Sequence, residues 1–209
     1  MYIEYCNYNK TISDYGKELT NVFRAIEENV NCLCLPIHMY QEIREFVPEG
    51  IDISVPIDYP SGYSATKTKN HAVLNAVKSG VKSIDYVMNS YLFQEKPKDL
   101  EKEIKTCQSI CRDYNSTLRV LIDSKTTESV IGTAKYLNQI GIEFCYPCLG
   151  YHNDNFIDSL INCKMIEKDT QINMIFNGYF WRQDQLEILK RTDIFGIRLY
   201  NIDFWCNNK

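Results

Sequence analysis

Eight short runs of β-branched and aromatic residues recur along the chain, and all but the last are followed by a longer stretch with helical spacing. The runs are YIEYC (2–6), NCLCLP (31–36), DISVPID (52–58), SIDYVMN (83–89), LRVLID (118–123), EFCYPC (143–148), QINMIFN (171–177) and IFGIRLYN (194–201). Helical patterns fill residues 14–28, 40–46, 64–79, 127–139, 155–166 and 183–190. Another opens at Pro97 and carries Leu100, Ile104, Cys107 and Cys111 on one face. Gly80 and Gly141 stand where such helices commonly stop. Strands joined through helices run parallel, and each crossover is right-handed. Eight such units favour closure into a (β/α)8 TIM barrel over an open sheet. At 209 residues it would be a compact barrel, a single domain over 1–209. Only IDFWCNNK comes after Asn201, which leaves a truncated eighth helix and a thinly covered seam beside strand 8. Ile202, Phe204 and Trp205 would cap that seam or meet a second subunit, and the short tail favours a homodimer formed there.

Composition removes several classes of function. The chain is 44% hydrophobic and 24% charged, as a packed globular protein is, which excludes a disordered or low-complexity chain. Lys and Arg number 23 against 27 Asp and Glu, a net charge of −4 with no basic run, so nucleic acid is a poor partner. No apolar stretch approaches the ~20 residues of a membrane span. The opening MYIEYCNYNK lacks the basic and apolar regions of a secretory signal, so a cytoplasmic location is expected. Nine cysteines, an odd number without an export signal, read as reduced, buried thiols. Cys145 and Cys148 form a C-x-x-C, but they lie in a strand, where residues three apart face opposite ways and the thiols would not meet. No second cysteine pair completes a zinc site, and neither a metal nor a cofactor is expected.

Four blocks in order carry a resemblance. VPIDYPSGYSATKTK, with Tyr59-Pro60-Ser61-Gly62 and Lys69 in the matching places, is followed by GVKSIDYVMN, LRVLIDSKTT and GIEFCYPCLGY. Together they resemble the deoxyribose-phosphate aldolase family, carbon–carbon lyases built on a TIM barrel. The resemblance implies that fold and a pocket at the carboxyl ends of the strands. It also implies a Schiff-base lysine on strand 6 and a second lysine on strand 7. Here the matching residues are Tyr146 and Ile175. A phenol forms no imine and an aliphatic side chain supplies no charge, which argues against the family's reaction. The family holds phosphate on glycine turns after strands 6, 7 and 8. Gly150 and Gly178 remain, but Tyr179 comes directly after Gly178, and Arg198-Leu199-Tyr200 replaces the family's Gly-Thr-Ser. Arg198 could serve as an anion clamp or pair with an interior carboxylate.

Asp85 matches the family's fourth-strand Asp, which helps relay protons; the alternative is a buried carboxylate paired with Arg119. Tyr146 could donate a proton or simply fill the core. Asp58 and Asp123 end strands 3 and 5, where they could line a site or cap the next helix in the chain. Lys125 is the rim lysine able to replace the lost amine, or else a solvated loop residue. His38 and His152 fall in rim loops without a third metal ligand. These residues support two hypotheses. One is a divergent enzyme that acts on, or binds, a small anionic carbonyl or sugar-phosphate-like compound without an imine. Asp85, Tyr146 and Arg119 would then be catalytic, and Arg198, Gly150, Gly178, Asp123 and Lys125 would hold the substrate. The other is a non-catalytic pseudoenzyme serving as a ligand-binding or assembly subunit. A mouth plugged by Tyr146, Tyr179 and Tyr200 would favour the second.

Overall fold

The computed structural model describes residues 1–7, 14–122, 127–150 and 155–208. The eight strands are β1 (Tyr2–Cys6), β2 (Cys32–Cys34), β3 (Asp52–Ile57), β4 (Ser83–Val87), β5 (Thr117–Leu121), β6 (Phe144–Tyr146), β7 (Asn173–Phe176) and β8 (Gly196–Leu199). They pair in parallel in chain order and close, β8 meeting β1 with Glu4 opposite Arg198. The helices are α1 (Tyr15–Glu27), α2 (Ile37–Ile43), α3 (Thr66–Lys78), α4 (Ser90–Glu95), α5 (Pro97–Asp113), α6 (Thr127–Gln139), α7 (Phe156–Asp169), α8 (Gln183–Arg191) and α9 (Ile202–Cys206). The (β/α)8 barrel expected from the strand pattern is therefore the observed fold.

Local chemistry sets the ends of these elements. Asp14 caps α1 by accepting from the Lys17 amide, and Asn155 caps α7 by accepting from the Ile157 amide. Pro97 begins α5, where its missing N–H costs nothing. Gly80 and Gly141 stand just beyond α3 and α6 at φ of 97° and 82°, a backbone region that favours glycine. Alternate strand residues point outward, and Ile84, Tyr86, Val120 and Cys145 pack with the helices in the main apolar core. Their neighbours Val87, Leu121, Tyr146 and Ile175 form a separate cluster inside the barrel.

Three details differ from expectation. The helix after strand 2 begins at Ile37 and ends in a 3-10 turn, Arg44–Phe46. The short α4 has no counterpart in the sequence pattern; Asn89 starts it by accepting from the Leu92 amide. The tail is the largest correction. Asn201 accepts from the Phe204 amide, and the residues after it coil into α9. Ile202 and Trp205 are buried against the chain's own barrel, Phe204 packs on Phe180, and Arg24 pairs with Asp203. A five-residue helix thus covers the seam, and the apolar side chains expected to meet a second subunit are already used within the chain. No helix among the described residues is long and apolar enough to cross a membrane.

Candidate functional site

Inside the barrel, period-two alternation stacks inward side chains in layers. The floor is aromatic: Tyr2 stacks on Phe195 at 5.4 Å, and Phe144 meets the same ring at 5.5 Å. The middle layer is charged. Glu4 from β1, Asp85 from β4, Arg119 from β5 and Arg198 from β8 converge there with Tyr146 from β6. Arg119 is 3% exposed and the other four are fully buried.

The bonding in this layer is reciprocal. Arg119 Nε donates to Asp85 Oδ1 at 2.9 Å, while its Nη1 donates to Glu4 Oε2 at 3.1 Å and to Tyr2 Oη at 2.8 Å. Arg198 Nη2 donates to Asp85 Oδ2 and lies 2.5 Å from Glu4 Oε1. Each arginine therefore faces both carboxylates, and the four formal charges cancel. Tyr146 Oη donates to Glu4 Oε2 at 2.9 Å and lies 3.5 Å from Asp85 Oδ1. The Arg198 guanidinium sits 3.9 Å over the Tyr146 ring. Asp85 also accepts from Cys34 Sγ at 2.9 Å and Ser54 Oγ at 3.4 Å.

This environment drives the two carboxyls apart. For Asp85, burial alone would raise the pKa, but Arg119 and Arg198 outweigh it and hold the group below the usual carboxylate range. For Glu4, burial outweighs the same arginines and pushes the group up. Burial also lifts the Tyr146 phenol and the Cys34 thiol well above their ordinary values, so both are protonated donors at neutral pH. Glu4, Cys34 and Asp85 place ligand-type atoms within 4.8 Å of one another. Their donor set suits a hydrogen-bonded cluster better than a cation, because both carboxylates already face two guanidinium groups and the thiol keeps its proton.

The layer above is thiol and phenol. Cys6, Cys34 and Tyr200 pack together, and Tyr179, 44% exposed, stacks on Tyr200 at 6.5 Å. Gly150, at φ 67°, gives way to this packing, since a Cβ there would collide with the Tyr200 phenol. A Cβ on Gly178 would meet Phe176 and Ser159. Protein side chains thus fill the space beside both retained glycines. Cys148 donates to Asn177 Oδ1 at 2.9 Å, whereas Cys145 faces the helices, so the C-x-x-C thiols point apart as expected.

Among the sequence candidates, Asp85, Arg119, Tyr146 and Arg198 are brought together, and Ile175 lies in the apolar cluster with Tyr146. Asp58 is not among them: it folds back on its own loop, accepting from the Ser64 amide at 2.8 Å and the Ser64 hydroxyl at 2.6 Å. His38 is exposed on α2, beside Tyr15. Asp123, Lys125 and His152 lie outside the described residues. Sequence reasoning missed Glu4, whose signal was its place in YIEYC: in a strand buried on both faces, an inward acid needs an inward base. It also missed the fate of Lys69, matched in the turn motif. Lys69 Nζ is buried outside the barrel, 3.2 Å from Glu103 Oε1, and donates to Val87 O at 3.0 Å and Tyr86 Oη at 3.1 Å.

No protein-family model matches the chain. Deoxyribose-phosphate aldolase from Streptococcus agalactiae is 27% identical over 121 residues, covering 56% of this chain and 53% of the relative. The same enzyme from Clostridium botulinum is 27% identical over 130 residues, 61% of this chain and 58% of the relative. In solved structures, the tetrameric deoxyribose phosphate aldolase from Aeropyrum pernix superposes with a TM-score of 0.82 at 12% identity, covering 96% of this chain and 86% of that one. This barrel is a divergent relative of the deoxyribose-phosphate aldolases. The matched region spans just over half the length of these curated aldolases. The 3-hexulose-6-phosphate synthase from Salmonella typhimurium shares the fold more distantly, with a TM-score of 0.69 at 9% identity over 96% of this chain and 89% of that one.

Proposed function

We propose that this aldolase-like barrel is a non-catalytic subunit, one that keeps the fold and works through its outer surface as a ligand-binding or assembly component. The observation that carries the reading is the charge balance of the interior. Arg119 and Arg198 are each engaged by Glu4 and Asp85, directly beneath a thiol and phenol layer. An anionic substrate would have to displace a carboxylate to reach either guanidinium, and that exchange leaves a buried charge unpaired. Tyr146 and Ile175 offer no amine. The cysteines are reduced and all but Cys206 are buried, which supports a reducing, cytosolic location.

The test is borohydride trapping with deoxyribose 5-phosphate and with acetaldehyde, read by intact mass and peptide mapping. An unchanged mass is expected. An adduct on Lys125 would restore aldolase chemistry through a relocated amine and overturn the proposal.

One observation favours a second reading, acid–base chemistry on a small anionic carbonyl compound. Two carboxyls with pKa values pushed in opposite directions, bridged by a phenol, is the arrangement of an acid–base pair. Proton exchange into a panel of sugar phosphates and keto acids in D2O, monitored by NMR, separates the two readings. Deuterium incorporation that disappears in Tyr146→Phe would establish the second and sink the first.

A further inference from the structure

Charge is unevenly spread along the chain. Residues 14–52 hold eight acids and three bases, a net charge of −5, whereas the whole chain is −4, so everything outside that segment sums to +1. The segment folds as α1, β2, α2 and the 3-10 turn that ends α2. Two of its three bases are used within the chain: Arg24 pairs with Asp203, and Arg44 Nη1 donates to Ser79 O at 3.1 Å. The third, Lys17, stands in the first turn of α1, about 15 Å along the helix from Glu27. Barrel helices run back against the strands, so the carboxyl ends of α1 and α2 lie at the amino-terminal rim of the barrel, opposite the mouth that Tyr200 fills. Four exposed acids collect on this rim. Glu27 ends α1, Glu45 lies in the 3-10 turn, Glu49 comes just after it, and Asp52 opens β3.

The same rim carries Phe46, which at 67% is the most exposed large apolar side chain among the described residues, and Phe23, 40% exposed. Their rings meet edge on, 6.5 Å apart. Phe23 stands one turn before Glu27 on the same side of α1, and Glu45 directly precedes Phe46. A carboxylate at the carboxyl end of a helix opposes the macrodipole, so Glu27 works against the helix it closes. Exposed rings and an acid set against its own helix are local conflicts, of the kind expected where a surface has a second use.

We propose that, on the non-catalytic reading of this barrel, the rim around Phe23 and Phe46 docks a cationic amphipathic segment of another protein. Charge selects this occupant, not apolar area. A second copy would set one −5 segment against another, and nucleic acid is a polyanion, so both are repelled. A neutral apolar partner would strip water from the acids and give nothing back. A Lys or Arg side chain meets both features at once: its charged head reaches a carboxylate, and its stem or its charge lies over a phenylalanine ring. Apolar residues on the same side of such a segment cover the ring pair, as an amphipathic helix does when it lays one face on its receptor. The site is remote from the charged interior of the barrel, and no group in that interior takes part.

The test is fluorescence anisotropy of a labelled helical peptide of about 18 residues, with leucine on one face and lysine on the other, titrated with the full chain. Binding with a micromolar dissociation constant is expected, weakening as salt is raised. A leucine–glutamate peptide of the same pattern, and a lysine–serine peptide without an apolar face, should each bind at least about 10-fold more weakly. Phe46→Ser should raise the dissociation constant about 10-fold, as should Glu45→Lys combined with Glu49→Lys. Glu95→Lys combined with Asp113→Lys makes the same change in net charge away from this rim and should alter binding by less than about 2-fold. All these side chains are exposed, so each variant should keep the far-UV circular dichroism and thermal midpoint of the wild type. The docking site is overturned if the leucine–lysine peptide does not bind, if the leucine–glutamate peptide binds as tightly, if Phe46→Ser changes nothing, or if the two charge-reversal pairs weaken binding alike. Peptide binding together with a borohydride adduct on Lys125 would sink the non-catalytic reading alone, whereas an unchanged mass without peptide binding would sink the docking site alone.

Discussion

Among the described residues, ionic groups are buried in two places, and they are built differently. Inside the barrel, two acids and two bases from four strands share one another, so each charge faces two of opposite sign. Outside it, between β4 and the helices, one Lys69–Glu103 pair stands with neutral supporters. The Tyr86 and Thr66 hydroxyls donate to Glu103, and Lys69 lies 4.4 Å over the Tyr86 ring. Asp58 stands 3.6 Å away, at the edge of that group. In the shared network, removing one acid takes a partner from two buried bases, whereas removing one member of the single pair leaves one partner short. The shared network occupies the position where the aldolase resemblance implies a substrate, and the single pair merely ties α3 and α5 to the sheet.

The sharpest way to test this contrast is to remove the most connected member. Asp85→Asn takes the carboxylate charge from both arginines and should cost about 4–5 kcal/mol in urea unfolding, the upper range for breaking a buried ion pair. Lys69→Met should cost about 3 kcal/mol, because Glu103 keeps its two hydroxyl donors. Adding Glu103→Leu to that variant should return stability to within about 1 kcal/mol of wild type, since an apolar pair of similar volume often replaces a buried ion pair at no cost. If Asp85→Asn proves milder than Lys69→Met, sharing buffers the interior more than the bond count implies.

Tyr146→Phe tests the roof of the network and should cost about 1 kcal/mol, the net worth of a hydrogen bond to a carboxyl group. The smallest effect is expected for Glu4→Gln near neutral pH, within about 1 kcal/mol. Burial raises that carboxyl's pKa, so its ionised form contributes less than that of Asp85, and the amide keeps an oxygen to accept from Tyr146.

The pH dependence distinguishes the two acids. Asp85 is held low, so its contribution is present above the ordinary Asp value of about 3.9 and is lost as pH falls through its folded value. Glu4 is held high, so its contribution is present below the ordinary Glu value of about 4.3 and is lost as pH rises through its folded value. Urea midpoints measured against pH should therefore lose part of their acid-side fall in Asp85→Asn. In Glu4→Gln they should lose part of their fall on the opposite side.

Much of this was legible in the residues, and the exceptions have physical reasons. The barrel was readable because every strand is bounded by turn signals and joined through a helix of the right length. Asp85, Arg119, Tyr146 and Arg198 could be placed in one interior because period two assigns a face to each residue once the strand is known. Their mutual pairing was only one of two readings, because sequence carries facing but not distance across a barrel. Glu4 went unassigned because its bases lie 115 and 194 residues away. Lys69 matched a motif, yet a helical residue faces the sheet, a neighbouring helix or water according to the packing angle, which the motif does not encode. The α9 helix carried its signal, Asn201 as cap and Asp203 in the first turn, but length alone argued against it.

The burial of Arg119 and Arg198 also provides a clock. An exposed guanidinium trades protons with water quickly, but these two are held by acids on opposite sides of a closed sheet. Their N–H protons can reach solvent only when the strands separate or the roof of the barrel lifts, so their exchange rate measures the opening of this end of the molecule. Nitrogen-15 labelling of arginine alone would read that motion from two side chains at the barrel's centre, without a substrate and without a mutation.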